Sequence, residues 1–442
     1  MPGYARASAI DSSIKMIIFN DSARIRSSLG CHGGWSAGNH RVSAVVARGL
    51  GMRRHYPLAL DTIDDKDIDR LIRWLKRGPR LTQGTVVAEF ESAWSRWAGR
   101  KYSVFCNSGS SANLLSYYAL LLSGRLKNNK VIVPAVGWVT SIAPAIQFGF
   151  KPIMCEADPD TFGLDLGHLE RLLKRHNPAT VVLVQVLGVA HKMREMMALK
   201  KRYGFHLIED ACAAIGAEYK GKRVGSFGEL ASFSFYFGHQ MSTIEGGMVS
   251  TDDARLDSLL RMARAHGWSK DLDRATQQRL VRRYKVDDFN APFVFYHPGF
   301  NVRSTDLNAY IGLGQLAKLD WIIRRREENH ARYLHNLQGR FYAQRPEPGS
   351  RVCSIHFGML TKDVEERKTI VKALTRHGIE TRMFSAGNLG LHPFWSERYG
   401  RASFPMADRI HHCGMFLPNH PSLKVADIDH ISQVVLNAVK KI

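Results

Sequence analysis

From about Leu58 the chain settles into an ordered pattern of apolar and polar positions. Between Asp64 and Lys76, Ile68, Leu71, Ile72 and Leu75 recur at helical spacing, and Val87 to Trp97 reads as a second helix. Short apolar runs then alternate with longer amphipathic ones. Val104–Cys106, Lys130–Pro134, Pro152–Cys155, Thr180–Val186 and His206–Ile208 read as buried strands. Asn113–Leu122 follows the first of these as a helix. Met193, Met196, Met197 and Lys200 mark a helix face before the last. ASFSFYF at 231–237 alternates with period two and predicts a further strand. Leu307–Arg326 reads as a helix leading into a mixed region from about 330 to 442. This alternation predicts an α/β fold: a mostly parallel sheet covered by helices on both faces, followed by a smaller C-terminal α/β domain. In such sheets ligands sit at the C-terminal ends of the strands.

Residues 1–56 stand apart as an N-terminal extension that is expected to be flexible. They are poor in acids, rich in serine and without sustained periodicity. A transit-type leader or a tail has this composition, and the apolar core of a secretory signal is missing. The larger domain is expected over 57–325 and the smaller over 326–442.

Apolar residues make up 45% of the 442 and charged residues 23%, which excludes wholesale disorder. No run approaches the ~18 apolar residues of a membrane span. The net charge of +22 favours an anionic partner: nucleic acid, a membrane surface or a phosphorylated substrate. No nucleic-acid reading motif accompanies it, so none is expected to bind. The six cysteines are widely spaced and none forms CxxC. This is neither a disulfide framework nor a zinc site, and it suits a reducing, cytoplasmic compartment. His411, His412, Cys413 and His420 are metal-capable residue types beside Pro418 and Pro421, and they read as a loop rather than a metal centre.

Three segments at strand ends carry the candidate chemistry. Asn107-Ser108-Gly109-Ser110-Ser111-Ala112-Asn113 lies between a strand and a helix. Small residues there let backbone approach a ligand, and the amides of a helix start suit a phosphate; a plain turn reads as well. In Ile208-Glu209-Asp210-Ala211, an acid at the end of an apolar strand needs a cation or serves as a helix cap. In Ser234-Phe235-Tyr236-Phe237-Gly238-His239-Gln240, a histidine follows the alternating strand.

In this order the three segments resemble the DegT/DnrJ/EryC1/StrS sugar aminotransferase family of fold-type-I pyridoxal-phosphate enzymes, whose fold is that of aspartate aminotransferase. The resemblance covers about 57–442. It includes LTQGTVVAEFESAWSRWAG (81–99), VPAVGWVTSIAPAI (133–146) and PGFNVRSTDLNAYIGLGQLAKLD (298–320). It implies that Gly109, Ser110 and Ser234 hold the cofactor phosphate. It also implies that Trp138 stacks on the pyridine ring and Asp210 pairs with the ring nitrogen. Asn301 would reach the phosphate of a neighbouring subunit, which implies a symmetric homodimer.

His239 stands where the family places its cofactor-binding lysine, and no lysine occurs between Lys222 and Lys270. Imidazole cannot link covalently to the cofactor, but it can move protons near neutral pH. The resemblance therefore narrows to the histidine-for-lysine branch, the nucleotide-sugar 3-dehydratases. FGHQMSTIEGGMV (237–249), ARAHGWSKDLD (263–273) and TRMFSAGNLGLHPFW (381–395) resemble that branch too. It implies non-covalent pyridoxamine 5'-phosphate, loss of the C3 hydroxyl from a nucleotide-linked 4-keto-6-deoxy sugar, and L-glutamate as amino donor. The kind that carries an iron–sulfur cluster needs clustered cysteines beyond the histidine. None lies between Cys212 and Cys353, so the kind acting on GDP-4-keto-6-deoxymannose fits better. Arg382 is a candidate carboxylate or phosphate contact, or a surface arginine. Asn388 in the GNL segment is a candidate for the substrate or glutamate pocket. A non-catalytic relative and an unusual transaminase are the other readings.

Overall fold

The computed structural model describes residues 54–440, so almost all of the expected N-terminal extension (1–56) lies outside the described residues. The strands are β1 (Tyr102–Cys106), β2 (Lys130–Pro134), β3 (Lys151–Cys155), β4 (Thr180–Val184), β5 (His206–Asp210), β6 (Glu218–Tyr219), β7 (Lys222–Arg223), β8 (Leu230–Ser234), β9 (Gly247–Thr251), β10 (Tyr342–Ala343), β11 (His356–Leu360) and β12 (Gly414–Pro418). Seven of them form one sheet in the order β1-β9-β8-β5-β4-β2-β3. All neighbours in it are parallel except those of β9, which runs against both β1 and β8.

Burial explains why the strands read as unbroken apolar runs. Val131 and Val133 enter the core on one face and Ile132 the core on the other. On β4, Val182 and Val184 likewise face one layer, and Val181 and Leu183 the other. Both faces are covered, as a parallel sheet with crossover helices demands. Each of these side chains contributes about 1.5–3 kcal/mol by leaving water.

The helices start and stop where local chemistry tells them to. Asp64 caps Asp65–Leu75 through a capping box with Asp67. Ser108 caps Gly109–Ser123, and Gly124 closes it in the left-handed conformation. Asp306, at the start of the helix Asp306–Leu337, accepts the amides of Gly84 at 2.7 Å and Val87 at 3.0 Å, and so caps the helix Thr85–Ala98. Ile68, Ile72 and Leu75 lie at helical spacing, yet all three are exposed.

Three expected boundaries move. The strand read over 231–237 stops at Ser234, because Gly247 is its last partner on β9 and the chain then turns. Thr180–Val186 ends at Val184, and a short helical turn takes over at Val186–Gly188. The helix read as Leu307–Arg326 continues to Leu337.

That helix joins two cores. Leu319, Ile322 and Ile323 pack with the large sheet, whereas Tyr333 and Leu337 pack with Phe357, Ile370, Met415 and Ile431 around the sheet β10-β11-β12. The division expected at 325/326 lies within this helix. Among the described residues, no helix is long and apolar enough to cross a membrane.

Candidate active site

A cleft of about 270 Å³ opens at the C-terminal ends of β1, β8 and β5, closed on the far side by residues next to β11 and β12. Gly109, Ser110, Trp138, Asp210, Ser234, His239 and Arg382 all line it. Sequence positions from 109 to 382 thus converge on one cavity.

Its floor is the turn after β1. The Ser108 hydroxyl accepts the Ser111 amide at 3.0 Å, which starts the helix. The amides of Gly109 and Ser110 belong to the first turn and have no intrahelical acceptor. A Cβ on Gly109 would stand 2.5 Å from the Ser234 Cβ and 3.1 Å from the Cys212 Sγ. Only glycine lets this turn lie against the end of β8. Gly247 gives room from the other side, since a Cβ there would meet the Ser108 carbonyl at 2.1 Å. The result is a cradle of two amides and two hydroxyls, those of Ser110 and Ser234, at a helix N-terminus. It suits a dianionic phosphate.

Asp210 ends β5 and is 4% exposed. Its Oδ2 accepts the Ser141 hydroxyl at 2.6 Å and the Asn113 Nδ2 at 2.9 Å, and its Oδ1 accepts the Cys212 amide at 3.1 Å. The carboxylate is locked in place, and Oδ1, with a single donor, keeps acceptor capacity for a further donor inside the cleft. Asn113 is held in turn by the Ser232 hydroxyl. Neither Asn113 nor Ser141 was singled out by sequence. Asn113 carries a signal all the same: it is a polar residue in an apolar helix, one turn after Gly109.

Trp138 is half-exposed at the cleft wall, on the loop after β2. The segment 385–389 clamps that loop. The Leu389 amide donates to the Ala135 carbonyl and the Ser385 hydroxyl to the Gly137 carbonyl, both at 2.8 Å, and Asn388 bridges to Val136. Asn388 itself does not line the cavity. It is fully buried, its Oδ1 accepts the Gly390 amide, and its Nδ2 donates to the Ala402 carbonyl and to Asp408. Its side-chain oxygen and nitrogen are both engaged within the fold.

Asn301 also lies outside the cavity. It is exposed, pairs with Ala265 and accepts from the Arg303 Nε at 3.0 Å. Arg382 does reach the cleft. Its guanidinium lies 5.3 Å from the Phe416 ring, and burial draws its pKa down. Glu209, by contrast, faces away. Its two oxygens accept the amides of Gly225, Phe227 and Gly228 and the Gln185 side chain. Among the described residues, no group of three or more His, Cys, Asp or Glu side chains could hold a metal ion.

His239 sits on the turn that follows β8. Its amide donates to the Tyr236 carbonyl at 2.9 Å, and its Nδ1 lies 3.4 Å from the Ser234 carbonyl. A carbonyl only accepts, so this contact selects the tautomer with the proton on Nδ1 and leaves the lone pair on Nε2. Burial pushes the pKa down to about 4. The Ser234 carbonyl and Asp210 oppose that shift, and Arg326 and Arg382 reinforce it. At neutral pH the ring is an unprotonated base. Among the described residues, no lysine lines the cleft.

The profile of the DegT/DnrJ/EryC1/StrS aminotransferase family matches residues 62–436, and the chain belongs to that family. It is similar to GDP-4-keto-6-deoxy-D-mannose 3-dehydratase of Yersinia pseudotuberculosis: 31% identical over 339 residues, 76% of this chain and 85% of the relative. The enzyme of that name from Escherichia coli O55:H7 is 30% identical over 390 residues, 86% of this chain and 99% of the relative. Among solved structures, the E. coli GDP-4-keto-6-deoxy-D-mannose 3-dehydratase with bound hydrated PLP superposes with a TM-score of 0.79 at 28% identity, covering 87% of this chain and all of that one. A structure of GDP-4-keto-6-deoxymannose 3-dehydratase with a trapped PLP–glutamate geminal diamine gives 0.78 at 28% identity, covering 86% of this chain and all of that one.

Proposed function

We propose that this chain is a pyridoxamine/pyridoxal-phosphate-dependent 3-dehydratase of a nucleotide-linked 4-keto-6-deoxyhexose. Its substrate is GDP-4-keto-6-deoxymannose or a close analogue, and glutamate restores the amine form of the cofactor. The product is the precursor of a 3,6-dideoxy sugar for a surface polysaccharide. The observation that carries the reading is His239: an unprotonated base faces the cleft where an aminotransferase needs lysine.

The residues fit the cofactor. Gly109, Ser110 and Ser234 offer amides and hydroxyls to a phosphate, and the Gly109 cradle has no room for a side chain of its own. Trp138 offers an aromatic face. Asp210, fixed by Asn113 and Ser141, offers a carboxylate oxygen to a protonated ring nitrogen. Bound there, the cofactor supplies an amine that condenses with the sugar ketone and a ring that accepts an electron pair.

The protein's own groups do the rest. Asp210 keeps the ring nitrogen protonated. His239 Nε2 takes the proton that must leave before the C3–O bond breaks, and it can return that proton to the departing hydroxyl. With no lysine among the described residues of the cleft, the protein offers no amine to take over the bound group, and water would have to do so. The balance is one sugar oxygen lost, glutamate oxidised to 2-oxoglutarate, and ammonia released. Arg382, a cation in the cleft, is suited to the α-carboxylate of glutamate or to a substrate phosphate.

The reading includes a cytoplasmic homodimer in which Asn301 of each copy serves the phosphate of the other. Two features support this: Asn301 lies outside its own cavity, and Ile68, Ile72 and Leu75 present an exposed apolar stripe.

Mass spectrometry tests the function. The full chain, incubated with pyridoxamine phosphate, glutamate and GDP-4-keto-6-deoxymannose, should yield a nucleotide sugar lighter by one oxygen, together with 2-oxoglutarate. His239→Asn should bind the cofactor and yield neither dehydrated sugar nor ammonia. An amino-sugar product would overturn the assignment in favour of transamination.

A further inference from the structure

The long helix Asp306–Leu337 places Arg326 against the back of the turn that bears His239. Arg326 is 1% exposed and, among the described residues, makes no ion pair. Its two Nη atoms donate to carbonyls alone, and its buried Nε has no hydrogen-bond partner. Nη2 donates to the His239 carbonyl at 2.9 Å, and Nη1 donates to those of Ile355 at 2.9 Å, Ser354 at 3.4 Å and Asn419. Asn419 returns the contact, with its Nδ2 reaching the Arg326 carbonyl at 3.2 Å and the Ser354 hydroxyl at 2.8 Å. One planar cation thus ties three chain segments together: the His239 turn, the entry to β11 and the exit of β12.

A buried guanidinium without a carboxylate is costly. Neutral donors such as glutamine could hold carbonyls at less cost, so the charge itself has to be accounted for. The catalytic candidate it touches, through the backbone carbonyl, is His239. We propose that Arg326 is a positioning residue for the dehydration: it fixes His239 through the backbone carbonyl, and its buried positive charge reinforces the burial that disfavours an imidazolium there. This deepens the functional reading above and rests on it.

Other titratable and charged groups also surround the imidazole. Arg382 enters from the segment after Ile379 and adds to the same effect. Asp210 at the end of β5 opposes it. His356 on β11 interacts electrostatically with the ring, and burial holds its own pKa well below the ordinary value. Tyr236 stacks edge-on at 6.0 Å, and Glu245 and Cys212 line the same cleft. Arg326 is the one cation among them that also holds the histidine's backbone.

Two substitutions separate geometry from charge. Arg326→Lys keeps a cation but loses the planar fork. Arg326→Gln loses both. The imidazole is followed by NMR titration in the full chain, its signal assigned by its loss in His239→Asn. In the unaltered protein His239 should titrate below pH 5. Arg326→Gln should raise that midpoint by about one unit and lower kcat roughly 100-fold, with KM for the nucleotide sugar within about threefold. Arg326→Lys should leave the midpoint in place and lower kcat roughly 10-fold.

A midpoint near 6.5 in the unaltered protein overturns the electrostatic part, whether or not the variants fold. An unchanged kcat in Arg326→Lys overturns the positioning part. If no nucleotide sugar is dehydrated at all, the functional reading falls, and the titration still judges the charge of Arg326.

Discussion

Gly109 and Ser234 come so close that a methyl group on Gly109 would stand 2.5 Å from the Ser234 Cβ. The contact joins the first helix turn after β1 to the end of β8, and it sets the width of the phosphate cradle. Gly109→Ala must push the two apart. The expected outcome is a cofactor Kd raised at least about 10-fold and a stability loss of roughly 1–3 kcal/mol from overpacking. Absorbance titration with pyridoxal phosphate and urea unfolding measure the two effects separately. Unaltered cofactor binding would remove Gly109 from the cradle.

Asp210 is held by Ser141, Asn113 and the Cys212 amide, so its role is directional as well as electrostatic. Asp210→Asn keeps the shape and removes the charge that would hold the ring nitrogen protonated. Dehydration should fall by about 100-fold or more, while the protein stays folded. Ser141→Ala removes one of the three donors to Asp210 and should cost far less, about 3- to 10-fold. Single-turnover rates on the pyridoxamine form give both numbers. Equal losses in the two variants would mean that orientation, not charge, is what Asp210 provides.

The sheet was legible because strands buried on both faces read as plain apolar runs, as in β4, whose five residues are all buried. The end of β8 was not legible. Alternation continues through Phe237, but pairing stops where β9 begins, and the partner strand is invisible to a local pattern. Periodicity identified the face formed by Ile68, Ile72 and Leu75 without telling what covers it. The cleft itself was largely readable, since Gly109, Asp210, Ser234 and His239 each stand at or just beyond the end of a strand. The supports were harder to see. Arg326 sits in an arginine run that looks like a solvated helix face, and only the tertiary structure buries it. Asn388 resembled a pocket residue, but its partner Asp408 lies 20 residues away and commits it to the fold.

Asn388 therefore gives a prediction opposite to that of a substrate ligand. Asn388→Ala leaves the buried Gly390 amide and an oxygen of the half-buried Asp408 without their partners. Stability should fall by about 1–3 kcal/mol. KM for the nucleotide sugar and for glutamate should change less than about threefold at temperatures where the variant is folded. Urea unfolding with steady-state kinetics on one preparation decides it. A large rise in KM without loss of stability would restore Asn388 to the pocket.

His420 offers a test of acid sensitivity away from the cleft. It is 3% exposed, and neither ring nitrogen has a hydrogen-bond partner. Burial, with Arg326 nearby, pushes its pKa down to about 4, against Asp427. The unfolded chain takes up a proton on this ring near pH 6.5, and the folded chain refuses it until about pH 4. Because the folded-state value is the depressed one, the stabilising effect is full above 6.5 and is lost as pH falls from 6.5 towards 4. At pH 5 this amounts to about 2 kcal/mol relative to pH 7. His420→Phe keeps an aromatic ring and removes the titration. The variant should be near neutral at pH 7 and more stable than the parent by about 2 kcal/mol at pH 5, as read from urea midpoints at the two values. If parent and variant lose stability in parallel between pH 7 and 5, His420 is not a source of the acid sensitivity.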